Sequence, residues 1–166
     1  MKTETLIIGL AVILAIAIPL ALLSVKNSKK RKAFMQKLTD FAKKNNCVIS
    51  ESDHWNTTLI GIDKTAGKLF YIKSRPDVQI EKAISLDEIQ KCRIVNTSRT
   101  VKAQDQSSTI IDKLELAFTH LDKNKSDVII EFYNNAYDGL TLNNELMTLE
   151  KWYDLINAVL MERAKK

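Results

Sequence analysis

KLELAFTHLDKNKSDVIIEFYN, residues Lys113 to Asn134, decides how the chain is read. Leu114, Leu116 and Phe118 recur at every second position, and so do Val128, Ile130 and Phe132. Successive side chains of a strand point to opposite faces, so each set shares one face. The polar run DKNKS, Asp122 to Ser126, separates the sets. The whole reads as an antiparallel hairpin.

Working upstream, CRIVNTSRTV, Cys92 to Val101, alternates loosely and is expected to form another strand, with Lys102 to Thr109 (KAQDQSST) as a polar loop after it. ISLDEIQ, Ile84 to Gln90, is too short to separate a strand end from one helical turn, and SRPD, Ser74 to Asp77, breaks the pattern. TLIGID and KLFYIK flank KTAG, Lys64 to Gly67. Strand formers on either side of a short polar link with glycine predict a second hairpin. Val48-Ile49 is a short candidate strand before it.

Downstream, NNAYDG is turn-rich. Leu146, Leu149, Trp152 or Tyr153, Ile156, Val159 and Leu160 then return at helical spacing, predicting a helix from about Leu142 to Arg163. Strands in hairpins without crossover helices argue against a parallel sheet. The expected fold class is α+β: an antiparallel sheet or half-open barrel of about seven strands, closed by the C-terminal helix.

The N-terminal part differs. Residues Thr5 to Val25 carry no charge, and about twenty apolar residues in a helix match the thickness of bilayer hydrocarbon. A cleaved signal peptide would have a shorter apolar region ending in small residues, whereas this run ends in LLSVKNSKK. The expectation is an uncleaved transmembrane helix over residues 1–26. Lys26, Lys29, Lys30, Arg31 and Lys32 follow it, against Lys2 before it. The cationic flank stays inside, which predicts a single-pass plasma- or inner-membrane protein, N-terminus outside and C-terminal domain cytoplasmic. Those five cations are also candidate contacts for anionic lipid headgroups. They account for much of the excess of 25 Lys plus Arg over 20 Asp plus Glu.

Residues 27–46 form a basic juxtamembrane segment. Phe34, Leu38 and Phe41, widened by Met35 and Ala42, predict an amphipathic helix from Ser28 to about Lys44, with Asn45-Asn46 as its stop. The stripe either packs on the domain that follows, residues 47–166, or lies on a bilayer. Its modest size and Asp40 favour packing.

GIDKTAGKLF, Gly61 to Phe70, invites comparison with a phosphate-binding loop and fails it. Five residues rather than four separate the glycines, Leu69 stands where Ser or Thr would bind magnesium, and no helix follows. His54 and His120 have no neighbours spaced for a metal site or a catalytic pair, and neighbouring Asp53 and His54 point to opposite faces of a strand. Cys47 and Cys92 are far apart, with no close-spaced metal pattern. Neither a recognition helix nor an aromatic nucleic-acid signature appears. The chain is read as non-enzymatic, without catalytic, cofactor or metal residues and without nucleic acid as a partner.

The order of hairpins and closing helix, with Trp152 in that helix, resembles the pleckstrin-homology-like superfamily, in particular its small membrane-anchored bacterial members. The resemblance covers roughly Cys47 to Arg163 and rests on element order and one aromatic. It implies a docking role. Phosphoinositide binders of that superfamily use basic residues near the first hairpin, and Lys68, Lys73 and Arg75 resemble that set, although the basic pair falls after the second of these strands. Lysines guarding a strand edge explain the same residues. The expected function is a non-catalytic membrane-tethered docking or adaptor domain for a protein, peptide or lipid headgroup. The alternative is a structural subunit of a membrane complex assembled through its transmembrane helix.

Overall fold

The computed structural model describes residues 32–103, 106–139 and 141–165. The chain divides into two compact units, Met1–Lys37 and Leu38–Lys166. Of the first, residues 32–37 are described; they are helical, with Lys37 Nζ 5.9 Å from the Phe34 ring centroid.

Helix α1 covers residues 32–44. It stops where Asn46 takes a positive φ of 57°, a conformation asparagine tolerates. The Cys47 and Asn45 amides then close back on Ala42 O, and Asn45 Nδ2 donates to Phe41 O at 2.9 Å. Leu38 and Ala42 are buried, and the Phe41 ring meets Phe70 edge-on at 5.5 Å.

Among the described residues, seven strands form two antiparallel sheets. The first holds β1 (Glu51–Trp55), β2 (Thr58–Asp63), β3 (Lys68–Ser74) and β4 (Gln79–Ser85) in that order. The second holds β5 (Ile89–Ala103), β6 (Gln106–His120) and β7 (Val128–Asn134), also in order. Helices α2 (Asn135–Asp138) and α3 (Glu145–Arg163) follow.

Strands β2 and β3 are buried on both faces, which is why TLIGI and LFYI read as unbroken apolar runs. Ile60, Ile62, Leu69 and Tyr71 join the main core, with Leu114, Leu116 and Phe118 of β6, Ile130 and Phe132 of β7, and Leu149, Trp152 and Ile156 of α3. The opposite face meets α1 residues. A Cβ on Gly61 would collide with the Leu38 side chain, so glycine sets how closely the backbone is approached there.

Helix α3 touches the rest of the unit at both ends. Near its start, buried Glu145 accepts from Asn56 Nδ2 at 2.8 Å and from the Asn143 amide at 2.6 Å, a position where a carboxylate suits the helix dipole. Trp152 Nε1 and Lys151 Nζ donate to Asp53 Oδ2 at 2.9 and 2.7 Å. In its last turn Arg163 makes a two-pronged contact with Asp87, at 2.5 and 2.8 Å.

Several expectations are corrected. The strands do not form one half-open barrel sheet. A 3-10 turn, Leu86–Glu88, follows β4 and precedes β5; among the described residues β4 pairs only with β3, and β5 only with β6. Val48-Ile49 is not a strand: Val48 is 78% exposed and its amide is held by Asp63 Oδ2 at 2.8 Å. The expected polar loop Lys102 to Thr109 is mostly strand, since β5 runs to Ala103 and β6 starts at Gln106.

The expectation of a single-pass plasma- or inner-membrane protein with a transmembrane helix, its N-terminus outside and its C-terminal domain cytoplasmic, is also corrected. Among the described residues no helix is long and apolar enough to cross a membrane. Helix α3 has 19 residues but carries Glu145, Glu150, Lys151, Asp154, Glu162 and Arg163. The apolar run of residues 1–26 lies outside the described residues.

Candidate functional site

Of the basic residues singled out in the sequence, Lys26, Lys29, Lys30 and Arg31 lie outside the described residues, Lys32 is exposed on α1, and Lys68 is half-buried at the start of β3. Lys73 and Arg75 come together, but not on an open surface. Lys73 is 1% exposed, with Nζ 2.9 Å from Glu131 Oε1 and 2.6 Å from Asp138 Oδ2. Arg75 Nη2 donates to the same Glu131 oxygen at 2.8 Å, and its guanidinium lies 4.3 Å from the Tyr137 ring centroid. Asn134 Nδ2 holds the other Glu131 oxygen at 2.7 Å. Burial pushes the Glu131 carboxyl up, but the donors Lys73, Asn134 and Arg75 outweigh it and bring its pKa to about 2. Two carboxylates thus face these two cations, and the cluster joins β3 to β7 and α2.

The sheet edges are treated unequally. Strand β7 has its carbonyls covered by side chains of the first sheet. Trp55 Nε1 donates to Phe132 O at 2.8 Å, Tyr71 Oη to Glu131 O at 2.7 Å and Lys82 Nζ to Ile129 O at 2.5 Å. Trp55 also stacks on Phe132 at 4.6 Å. On the other side, β5 pairs with β6 along one edge, and among the described residues no strand pairs with its second edge.

The start of β5 opens onto a groove of about 350 Å³ lined by Leu86, Asp87, Ile89, Leu121, Leu160 and Arg163. Leu86 and Ile89 are buried and Leu121 is 59% exposed, so aliphatic surface stays accessible there. The Asp87–Arg163 pair forms one polar wall. A neighbouring cavity of about 200 Å³ shares Asp87 and Leu121 and adds Glu88, His120, Asp122 and Lys125. Lys125 Nζ meets Glu88 Oε2 at 2.7 Å, the Leu121 amide donates to Glu88 O at 2.8 Å, and His120 Nδ1 is buried with no hydrogen-bond partner among the described residues.

Chemically the groove offers an aliphatic floor and paired charges at the rim, beside an edge of β5 with which no described strand pairs. Among the described residues, no group of three or more His, Cys, Asp or Glu side chains could hold a metal ion. Sequence reading missed the groove because its residues come from the 3-10 turn, the β6–β7 turn and the end of α3. The one local signal was the ambiguity of ISLDEIQ, which holds Leu86, Asp87 and Ile89.

These features define an α+β domain with two antiparallel sheets, a C-terminal helix and a groove beside an open sheet edge. No protein-family model, curated protein or solved structure matches the chain.

Proposed function

We propose that the chain carries a non-catalytic docking domain of pleckstrin-homology-like type, which takes an extended protein segment as an added strand on β5. An apolar side chain of that segment seats in the groove between Leu86, Leu121 and Leu160. The observation that carries this reading is the contrast between the edges: β7 is capped by Trp55, Tyr71 and Lys82, while among the described residues no strand pairs with the second edge of β5 beside the groove. An extended peptide on a sheet edge draws affinity from main-chain hydrogen bonds and specificity from side-chain pockets. The element order supports the type, with meanders of four and three strands and a helix bearing buried Trp152. A lipid-headgroup role draws little support from Lys73 and Arg75, whose charges already face Glu131 and Asp138.

The test is selection of peptides from a random displayed library on the full chain, followed by hydrogen exchange with the best binder. Selected peptides are expected to slow exchange in Ile89–Asn96, and Leu121→Arg, at an exposed position, to weaken them about tenfold, or ~1.4 kcal/mol. Protection confined to other strands, or binding indifferent to Leu121→Arg, overturns the reading.

A further inference from the structure

Asp138 ends helix α2, and exposed Gly139 follows it. In an Asp-Gly pair the glycine amide nitrogen can attack the aspartate side-chain carbonyl carbon, because glycine has no Cβ to shield the approach. The nitrogen loses its proton, the carboxyl loses its hydroxyl, and water leaves as a succinimide ring closes. Water then reopens the ring. Opening at the main-chain carbonyl leaves the chain running through the former side chain, as isoaspartate with a free α-carboxylate. Both steps balance with water alone, and no oxidant, reductant or cofactor takes part.

In the folded chain several contacts oppose the attack. Lys73 Nζ and the Asn134 amide hold Asp138 Oδ2 at 2.6 and 2.9 Å. Tyr133 Oη donates to Gly139 O at 2.7 Å. Ring closure must swing the carboxyl off its two donors and turn the peptide that Tyr133 fixes. Helix α2 itself is weak. It has four residues, and so short a helix does not persist in water without tertiary partners. The partner from outside the β7–α2 segment is Lys73, buried on β3.

We propose that Asp138–Gly139 is an ageing site, which isomerises spontaneously whenever α2 opens, and that the Lys73 contact sets how often it opens. The consequence reaches past α2. In isoaspartate the main chain gains a carbon and the arm of the carboxylate loses one, so the carboxylate no longer meets Lys73. Lys73 is then left buried with Glu131, which Arg75 also uses. A buried ionic set missing one member is destabilised. The reaction therefore loosens the junction of β3, β7 and α2, and refolding does not undo it. These residues are separate from the groove, and the proposal does not depend on the docking role.

The experiment ages the full chain over days at neutral pH and physiological temperature, in native buffer and in unfolding guanidinium, beside Lys73→Met, Trp152→Ala and Gly139→Ala. Isoaspartate at position 138 is read as resistance of that site to an aspartate-specific protease, and the succinimide as a species lighter by one water. Native wild type is expected to convert more slowly than unfolded wild type. Lys73→Met is expected to convert about tenfold faster than native wild type, which corresponds to ~1.4 kcal/mol less to open α2. Trp152→Ala, destabilised within α3, is expected to stay near wild type, and Gly139→Ala to convert least. Equal rates for native and unfolded wild type, equal rates for Lys73→Met and Trp152→Ala, conversion undiminished in Gly139→Ala, or no isoaspartate in any chain overturns the proposal.

Discussion

Lys73 Nζ lies 2.6 Å from Asp138 Oδ2, with the lysine side chain 1% and the aspartate 6% exposed. The same carboxylate oxygen accepts the Asn134 amide at 2.9 Å, which ties the four-residue α2 to the end of β7. Lys73 is therefore a rivet between the two sheets and α2. Removing one member of a buried ionic set leaves the others unbalanced and costs about 3–5 kcal/mol. Lys73→Met is expected to destabilise by that amount in urea unfolding. The triple variant Lys73→Met, Glu131→Gln, Asp138→Asn is expected to recover much of the loss. A Lys73→Met protein as stable as wild type would show that the cluster is not a structural unit.

Acid sensitivity follows from the same carboxylate. Glu131 titrates near 4.5 unperturbed but near 2 when folded. Between those values the unfolded chain binds a proton that the folded chain does not. Its contribution is complete above about pH 4.5 and is lost as pH falls toward 2. The carboxyls of Asp63, held by the Ala66 and Val48 amides, and of Asp87, held by Arg163, are also lowered, so they add to the slope in the same direction. Glu131→Gln is expected to give lower stability at neutral pH and a shallower decline in acid, measured as urea midpoint against pH.

The bond between Trp152 Nε1 and Asp53 Oδ2 joins α3 to β1. Trp152→Ala empties a fully buried site and is expected to cost about 3–5 kcal/mol. Trp152→Phe keeps most of the ring and loses the donor, for about 1–2 kcal/mol. A double-mutant cycle with Asp53→Ala, which removes the acceptor, should then give a coupling above ~0.5 kcal/mol. Additive effects would show the bond to be energetically idle.

Gly67 closes the β2–β3 turn at φ +62°, and a Cβ there would overlap the Arg163 guanidinium. Gly67→Ala combines left-handed strain with displacement of Arg163 from Asp87. It is expected to cost about 1 kcal/mol or more and to lower the melting temperature, whereas Gly139→Ala meets no side chain and bears only its φ of 92°.

Both cysteines are buried, and burial alone pushes the Cys92 thiol up to about 12. Neither is expected to react with a thiol reagent in the folded protein, and labelling should appear only with unfolding. Rapid native labelling of Cys92 would contradict the packing of β5.

Legibility in the sequence was uneven, and the reason lies in locality. The β6–β7 hairpin and α3 were readable because Leu114, Leu116 and Phe118, or Leu149, Trp152 and Ile156, repeat with the period of their own element. Strand β4, QIEKAIS, escaped notice because alternating Glu81 and Ala83 give a weak apolar signal at a sheet margin. Lys102 to Thr109 reads as a loop because Ser107, Ser108 and Thr109 are all exposed, and polarity suggests loop when no face is buried. Lys73 and Arg75 looked available in sequence, since Glu131 and Asp138, their partners, lie more than fifty residues downstream. The groove needs the fold itself to bring Leu86, Leu121 and Leu160 together.

Helix α3 is held at one end by Asn56 and at the other by Asp87, yet it follows every strand in chain order. A ribosome-bound chain that has not reached Glu145 therefore has nothing to lay over Leu69, Leu116 and Phe132. Until then those residues lack the helix that completes their core, so closure waits for α3 to emerge.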